Sequence, residues 1–193
     1  MLFRSGSEII QYTTKTDTTF DGTITRGALG TTQAAHSAGD AISEVQGTGS
    51  STAIGIVLFN NTDYSNGVYA SADYTKVYFS YAGIYNLQFS VQLLNYTSTE
   101  DNSTVWFRVN GSDVAASASI AEVPPKHGTA PGATIMTVNL FYQVTAGDYV
   151  SIAWASDTGN TVIATAPAGT SPIHPASPGL IFTAQFISAP PEA

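Results

Sequence analysis

Cysteine is absent from the 193 residues. A disulfide framework, a thiolate zinc site and a cysteine nucleophile are thereby removed at once. Charge is scarce: 10% of residues are charged, six Lys and Arg stand against fourteen Asp and Glu, and the net charge is −8. Arg4, Lys15, Arg26, Lys76, Arg108 and Lys126 are scattered along the chain. They form no basic stripe that could neutralise phosphates, so nucleic-acid binding is excluded and an anionic membrane surface is disfavoured. No stretch is apolar enough to cross a bilayer, so no membrane insertion is expected. The first residues, Met1 to Glu8, lack the apolar run of a signal peptide, which points to synthesis in a cytoplasm without export. Helical periodicity is missing throughout.

What is present is strand pattern. Hydrophobic residues make up 43% of the chain, amid abundant Gly, Ser, Thr and Asn. The clearest signal is Ile84 to Leu93, where Tyr85, Leu87, Phe89, Val91 and Leu93 alternate with Asn86, Gln88, Ser90 and Gln92. Side chains on a strand point to opposite faces in turn, so this is a half-buried β-strand with one dry and one wet face. Gly83 just before it reads as a sharp turn into the sheet. The remainder packs against this strand: Ile54–Phe59, Val68–Ala72, Lys76–Tyr81, Thr104–Val109, Val114–Ile120, Ile135–Val144, Tyr149–Ala155 and Leu180–Ile187 all read as strands. Asn110-Gly111 is a strong hairpin signal. Thr97–Ser103 reads as a polar loop, and 121–133 and 166–179 as long Pro/Gly loops. The fold class is all-β, a jelly-roll sandwich.

The chain divides into three parts: residues 1–46 as a small β docking module, 47–53 as a linker, and 54–193 as the jelly-roll domain. In the first part, Glu8–Thr14 and Thr19–Gly27 form a hairpin turning at Lys15-Thr16-Asp17. Its apolar content is too small for an independent core, so it leans on the main domain, on its own copies or on another protein.

No constellation of catalytic residues is visible. Asp17, Asp63, Asp101, Asp113, Asp148 and Asp157 fall in turn contexts, where Asp serves local hydrogen bonding. Glu100-Asp101 reads as a solvated loop tip rather than the carboxylate pair of a glycosidase. His36, His127 and His174 lie in three separate loops without metal-ligand spacing. The expectation is a non-enzyme with no cofactor and no resident metal. Lys126, His127 and His174 mark the two long loops as candidate binding loops, since binding residues often sit on loops of a rigid scaffold. Tyr78, Tyr81, Tyr85, Phe89, Phe107, Phe141, Tyr142, Trp154 and Phe186 are core or trimer-interface candidates. Leu140 and Tyr142 have opposite parity from Phe141, so that strand is apolar on both faces.

Two resemblances extend this reading. The Glu-Ile-Ile-x-Tyr-Thr strand at 8–13, the Thr-Arg-Gly-x-x-Gly-Thr loop at 25–31 and the Ala-Ala-His-x-x-Gly ending at 34–39 resemble a short β-module of tailed-bacteriophage virion proteins, found near tail or fibre attachment regions. Gly83-Ile84-Tyr85, Val105 to Gly111, Val138-Asn139-Leu140, Gly147-Asp148-Tyr149-Val150 and Phe182 to Ile187 resemble, in order, motifs of the C1q/TNF-like trimeric jelly roll, with Ala184 in place of a Gly and Gln185 in place of an aromatic. The second resemblance implies a homotrimer with one sheet facing the three-fold axis. Together they imply a structural protein on a virion surface, at tail or head. Residues 1–46 would bind other virion proteins, and the trimeric knob would serve as a tail fibre or spike accessory for host attachment, contacting host surface glycan. A capsid decoration protein that stabilises the shell is the competing expectation, and a glycan depolymerase a third.

Overall fold

The computed structural model describes residues 2–5, 8–15, 19–28, 31–37, 42–46 and 54–190. The expected linker, 47–53, and the turn residues 16 and 17 lie outside them. The strands in chain order are β1 (Leu2–Ser5), β2 (Glu8–Gln11), β3 (Thr14–Lys15), β4 (Phe20–Asp21), β5 (Ile42–Gln46), β6 (Gly55–Ile56), β7 (Val68–Ala70), β8 (Val77–Phe79) and β9 (Gly83–Asn95). There follow β10 (Asp101–Val109), β11 (Ser112–Asp113), β12 (Ser119–Val123), β13 (Gly132–Val144), β14 (Tyr149–Ser156), β15 (Thr161–Ala164), β16 (Gly169–Thr170), β17 (Ile173–His174) and β18 (Leu180–Ser188). The chain is all-β, with antiparallel sheets in a jelly-roll-like sandwich.

The first sheet is built on β9. One edge of β9 pairs with β13 along its whole length, from Gly83↔Val144 to Asn95↔Gly132. Its other edge pairs with β18 up to Val91 and with β15 from Leu93 onward. Beyond β15 the sheet continues through β5 to β1 and β2. The second sheet is built on β10 and β14, paired from Ser103↔Ser156 to Val109↔Val150. β11 and β12 share the outer edge of β10, β6 and β8 share that of β14, and β7 lies beyond β8.

Alternation explains the core. Tyr85, Leu87, Phe89, Val91 and Leu93 all point inward and are buried, as their period requires. They meet Val105, Phe107 and Val109 of β10 and Val150, Ile152 and Trp154 of β14. The aromatic rings interlock: Phe89 meets Phe107 at 5.0 Å, Phe79 meets Tyr85 at 4.8 Å and Phe59 meets Phe182 at 5.4 Å between centroids. Edge-on aromatic pairs add to burial energy.

Several expectations are corrected. Gly83 is no turn but the first residue of β9; a Cβ there would meet the Phe186 ring at 2.5 Å and Ser188 O at 2.9 Å, so glycine is needed for close packing. Only Gly55–Ile56 of the Ile54–Phe59 run is strand, although Val57 N still donates to Ile152 O at 2.9 Å. β10 starts at Asp101, which shortens the polar loop before it. β12 and β13 narrow the first long loop to 124–131, and β16 and β17 form a hairpin inside the second. β1, β5 and β15 had no counterpart in the sequence reading. The Asn110-Gly111 hairpin forms, with Val109↔Ser112 and Arg108↔Asp113 opposite one another.

Candidate assembly face and docking base

β9, β13 and β18 contain no charged residue. Their inward residues fill the core; their outward residues make a continuous open face. The register sets its rows: Phe141, Asn86 and Gln185 stand side by side, then Asn139, Gln88 and Thr183, then Thr137, Ser90 and Ile181. Apolar side chains are wetted on this face, with Ile135 at 68%, Phe141 at 62% and Ile181 at 56% exposure. At its centre the Asn86 Oδ1 is shielded from solvent and accepts no hydrogen bond. The far end of the face is covered: Leu94 packs into a second small core with Leu2, Ile9, Ala28, Tyr96, Val162 and Ala164.

That second core sits beside a charged node. Glu8 opens β2 fully buried. Arg26 grips both its oxygens, Nε to Oε1 and Nη2 to Oε2 at 2.6 Å each. Gly27 N donates to Oε1 at 2.8 Å, and Ala34 N and His36 Nε2 reach Oε2 at 2.9 Å. The Arg26 guanidinium, against the opposing effect of burial, holds the Glu8 carboxyl well below the usual carboxylate range, helped by the Ala34 amide, the His36 ring and the Gly27 amide. Arg26 in turn is raised, first by its hydrogen bond to Glu8. The Thr-Arg-Gly and Ala-Ala-His segments are thus the two halves of one carboxylate cradle. The sequence reading placed Glu8 on a strand but missed this role; the signal was a lone Glu ahead of two isoleucines, with an Arg-Gly pair downstream.

The nine singled-out aromatics divide. Tyr85, Phe89, Phe107 and Trp154 are buried core residues. Tyr142 is half-buried against the same core. Phe141 lies on the open face, whereas Phe186 is half-exposed and packs its ring edge-on against Tyr85 at 5.4 Å. Tyr78 belongs to the second sheet, stacked on Tyr69 at 5.4 Å and tilted against Tyr149. Tyr81 is exposed and accepts a bond from the Tyr85 hydroxyl on its backbone carbonyl, at 3.1 Å. Sequence reasoning did not single out Phe59 and Phe79 of the core, half-buried Phe182 packed against it, or buried Tyr12 and Tyr96.

His127 is exposed in a small bridge with Ala130, Lys126 is half-buried with its backbone N–H bonded to Thr97 O, and exposed His174 sits on the β16–β17 hairpin with Nδ1 2.8 Å from Pro175 O. Among the described residues, no three His, Asp or Glu converge to hold a metal ion. The carboxylates tie turns. Asp148 bonds Asn110 Nδ2 and Thr145 N, both at 2.7 Å. Asp101 is a correction: it is buried rather than at a solvated tip, accepting from Thr158 N, Asn160 N, and Thr161 N and Oγ1 at 2.9–3.2 Å. Burial raises its pKa, but these donors outweigh that and lower it overall.

No family model matches the chain, and no curated protein matches it.

Proposed function

We propose that the chain is a non-enzymatic structural protein of a tailed-phage virion. Its sandwich associates as a C1q/TNF-like homotrimer through the outer face of β13, β9 and β18, and residues 1–46 seat it on other virion proteins. The observation that carries this is the charge-free open face. A surface left to water normally carries interspersed charge, whereas interface centres are depleted of charge and enriched in aromatic residues. Wetted Ile135, Phe141 and Ile181 flanked by amides and hydroxyls match the second composition.

The knob at the tail, serving host attachment, is the leading placement. Head decoration is favoured by one feature: β5 pairs with β15, so the base continues the sandwich's own sheet rather than carrying a shaft. A flush, shell-stabilising trimer needs such a base. Labelled antibody against the chain, imaged on purified particles, decides: signal at the tail tip or baseplate supports the knob, signal spread over the capsid supports decoration, and signal on neither overturns the virion assignment.

A further inference from the structure

A groove of about 680 Å³ lies on the sandwich between the 58–66 segment and β18. It is separate from the 121–133 loop, and Pro178 and Gly179, which end the 166–179 loop, help to line it. Its floor is apolar, formed by Phe59, Val68, Leu180 and Phe182. Its rim, Asn60 to Asn66, is seven consecutive exposed residues bearing amides, hydroxyls, one phenol and one carboxylate. Tyr64 is 84% exposed at that rim. Asn61 Nδ2 donates to Asp63 Oδ1 at 2.7 Å, which orients the carboxylate. Among the described residues, no lysine, arginine or histidine lines the groove. Along the β18 wall, Gly179 O accepts from Gln92 N, so the ladder turns alternate residues toward β9. Leu180, Phe182 and Ala184 therefore aim their backbone N–H and C=O groups the other way, along the groove.

We propose that this groove binds a neutral oligosaccharide. Mixed donors and acceptors without a cation suit many uncharged hydroxyls and reject carboxylated or sulfated sugars, which would meet Asp63 with nothing to pair them. An exposed tyrosine offers a flat apolar face with a polar tip, fitted to the C–H face of a pyranose. The inference rests on the attachment reading above and gives it a site and a ligand class.

The test is the full chain on an array of neutral, sialylated and sulfated oligosaccharides of four to eight sugars. Amide exchange with and without the best neutral binder follows. Neutral ligands are expected to bind, protecting 58–66 and 180–184, and Tyr64→Ala and Asp63→Asn each weaken binding at least tenfold while His127→Ala and His174→Ala do not. Failure to bind any neutral oligosaccharide overturns the inference. So does preference for the anionic sugars, or binding that Tyr64→Ala and Asp63→Asn leave untouched. Protection of 180–184 that follows self-association instead of sugar assigns the groove to a second chain and also overturns it. Mass in solution, measured on the same sample, separates the two readings: a trimer that binds no sugar removes only the saccharide, and a sugar-binding monomer removes only the assembly.

Discussion

On the sheet built around β9, the outward side chains are amides, hydroxyls and wetted aliphatics, without one charge in β9, β13 or β18. On the sheet built around β10, the outward side chains answer one another. The Trp106 indole and the Arg108 guanidinium both reach Asp113 Oδ1, each at 2.8 Å. Tyr69, Tyr78 and Tyr149 stand in a file, with Lys76 Nζ 5.5 Å above the Tyr149 ring. Both sheets close the same core, so stability does not require them to differ outside. The second face also leaves an isoleucine wetted, Ile120 at 72%, but it carries an ion pair that the first lacks. The first keeps an orphaned acceptor at Asn86 and open isoleucines. The contrast is one of charge: charged side chains pair on one face and are absent from the other.

The sharpest way to break the comparison is to charge one face and then the other. Gln88→Arg places three like charges in the dry centre of the proposed trimer, and association should weaken by about a hundredfold or more. Asn102→Arg, on the exposed face of β10, should leave the mass unchanged; sedimentation velocity of both variants checks this. If Asn102→Arg dissociates the protein and Gln88→Arg does not, the faces are assigned the wrong way round.

Next in size is the shared core. Phe107→Ala opens a cavity against Phe89 and Phe182 and should cost roughly 3–5 kcal/mol in denaturant unfolding, with both sheets lost together. A loss under about 1 kcal/mol would mean that the sandwich does not depend on this contact.

The base should respond more locally. Glu8→Gln removes the charge that Arg26 grips, and amides of 8–11 and 25–28 should exchange about a hundredfold faster while the sandwich melts unchanged. Acid does the same. The carboxyl of Glu8 is depressed in the folded chain, so its contribution is complete above the ordinary carboxylate pKa of about 4.3. As pH falls below about 5, the unfolded chain takes up a proton that the folded one refuses, and the base loosens progressively. Asp101, also lowered, gives the 157–161 turn the same direction. Exchange rates from pH 7 to 3 check the sign; a base that tightens on acidification contradicts it.

The smallest effect is expected from Asp113→Asn. Asp113 is 60% exposed, and surface ion pairs contribute about 0–1 kcal/mol. The mass should not change.

Much of this architecture could be read from residue order. The alternation in Ile84–Leu93 foretold β9, its burial and its outward amides, because period two maps directly onto two faces. The Asn110-Gly111 turn was equally local. The strands β1, β5 and β15 were not legible, since each is short and owes its place to a distant neighbour in the ladder. Asp101 looked like turn chemistry because its partners, Thr158 to Thr161, lie almost sixty residues away. The open face was half visible, in the opposed parity of Phe141 and Tyr142. That its three strands are adjacent, and together lack charge, needed the register. The groove was not visible at all: Asn60 to Ser65 reads as an ordinary turn cluster until β18 is set opposite it.

Sedimentation equilibrium of the purified chain at micromolar concentration tests the central claim most directly. Three protomers of 20.1 kDa give a particle of about 60 kDa. The account predicts that mass, with the outer amides of β13 and β18 protected from exchange only in the associated state. A stable 20.1 kDa species whose β9 sheet face stays fully open to solvent would contradict it.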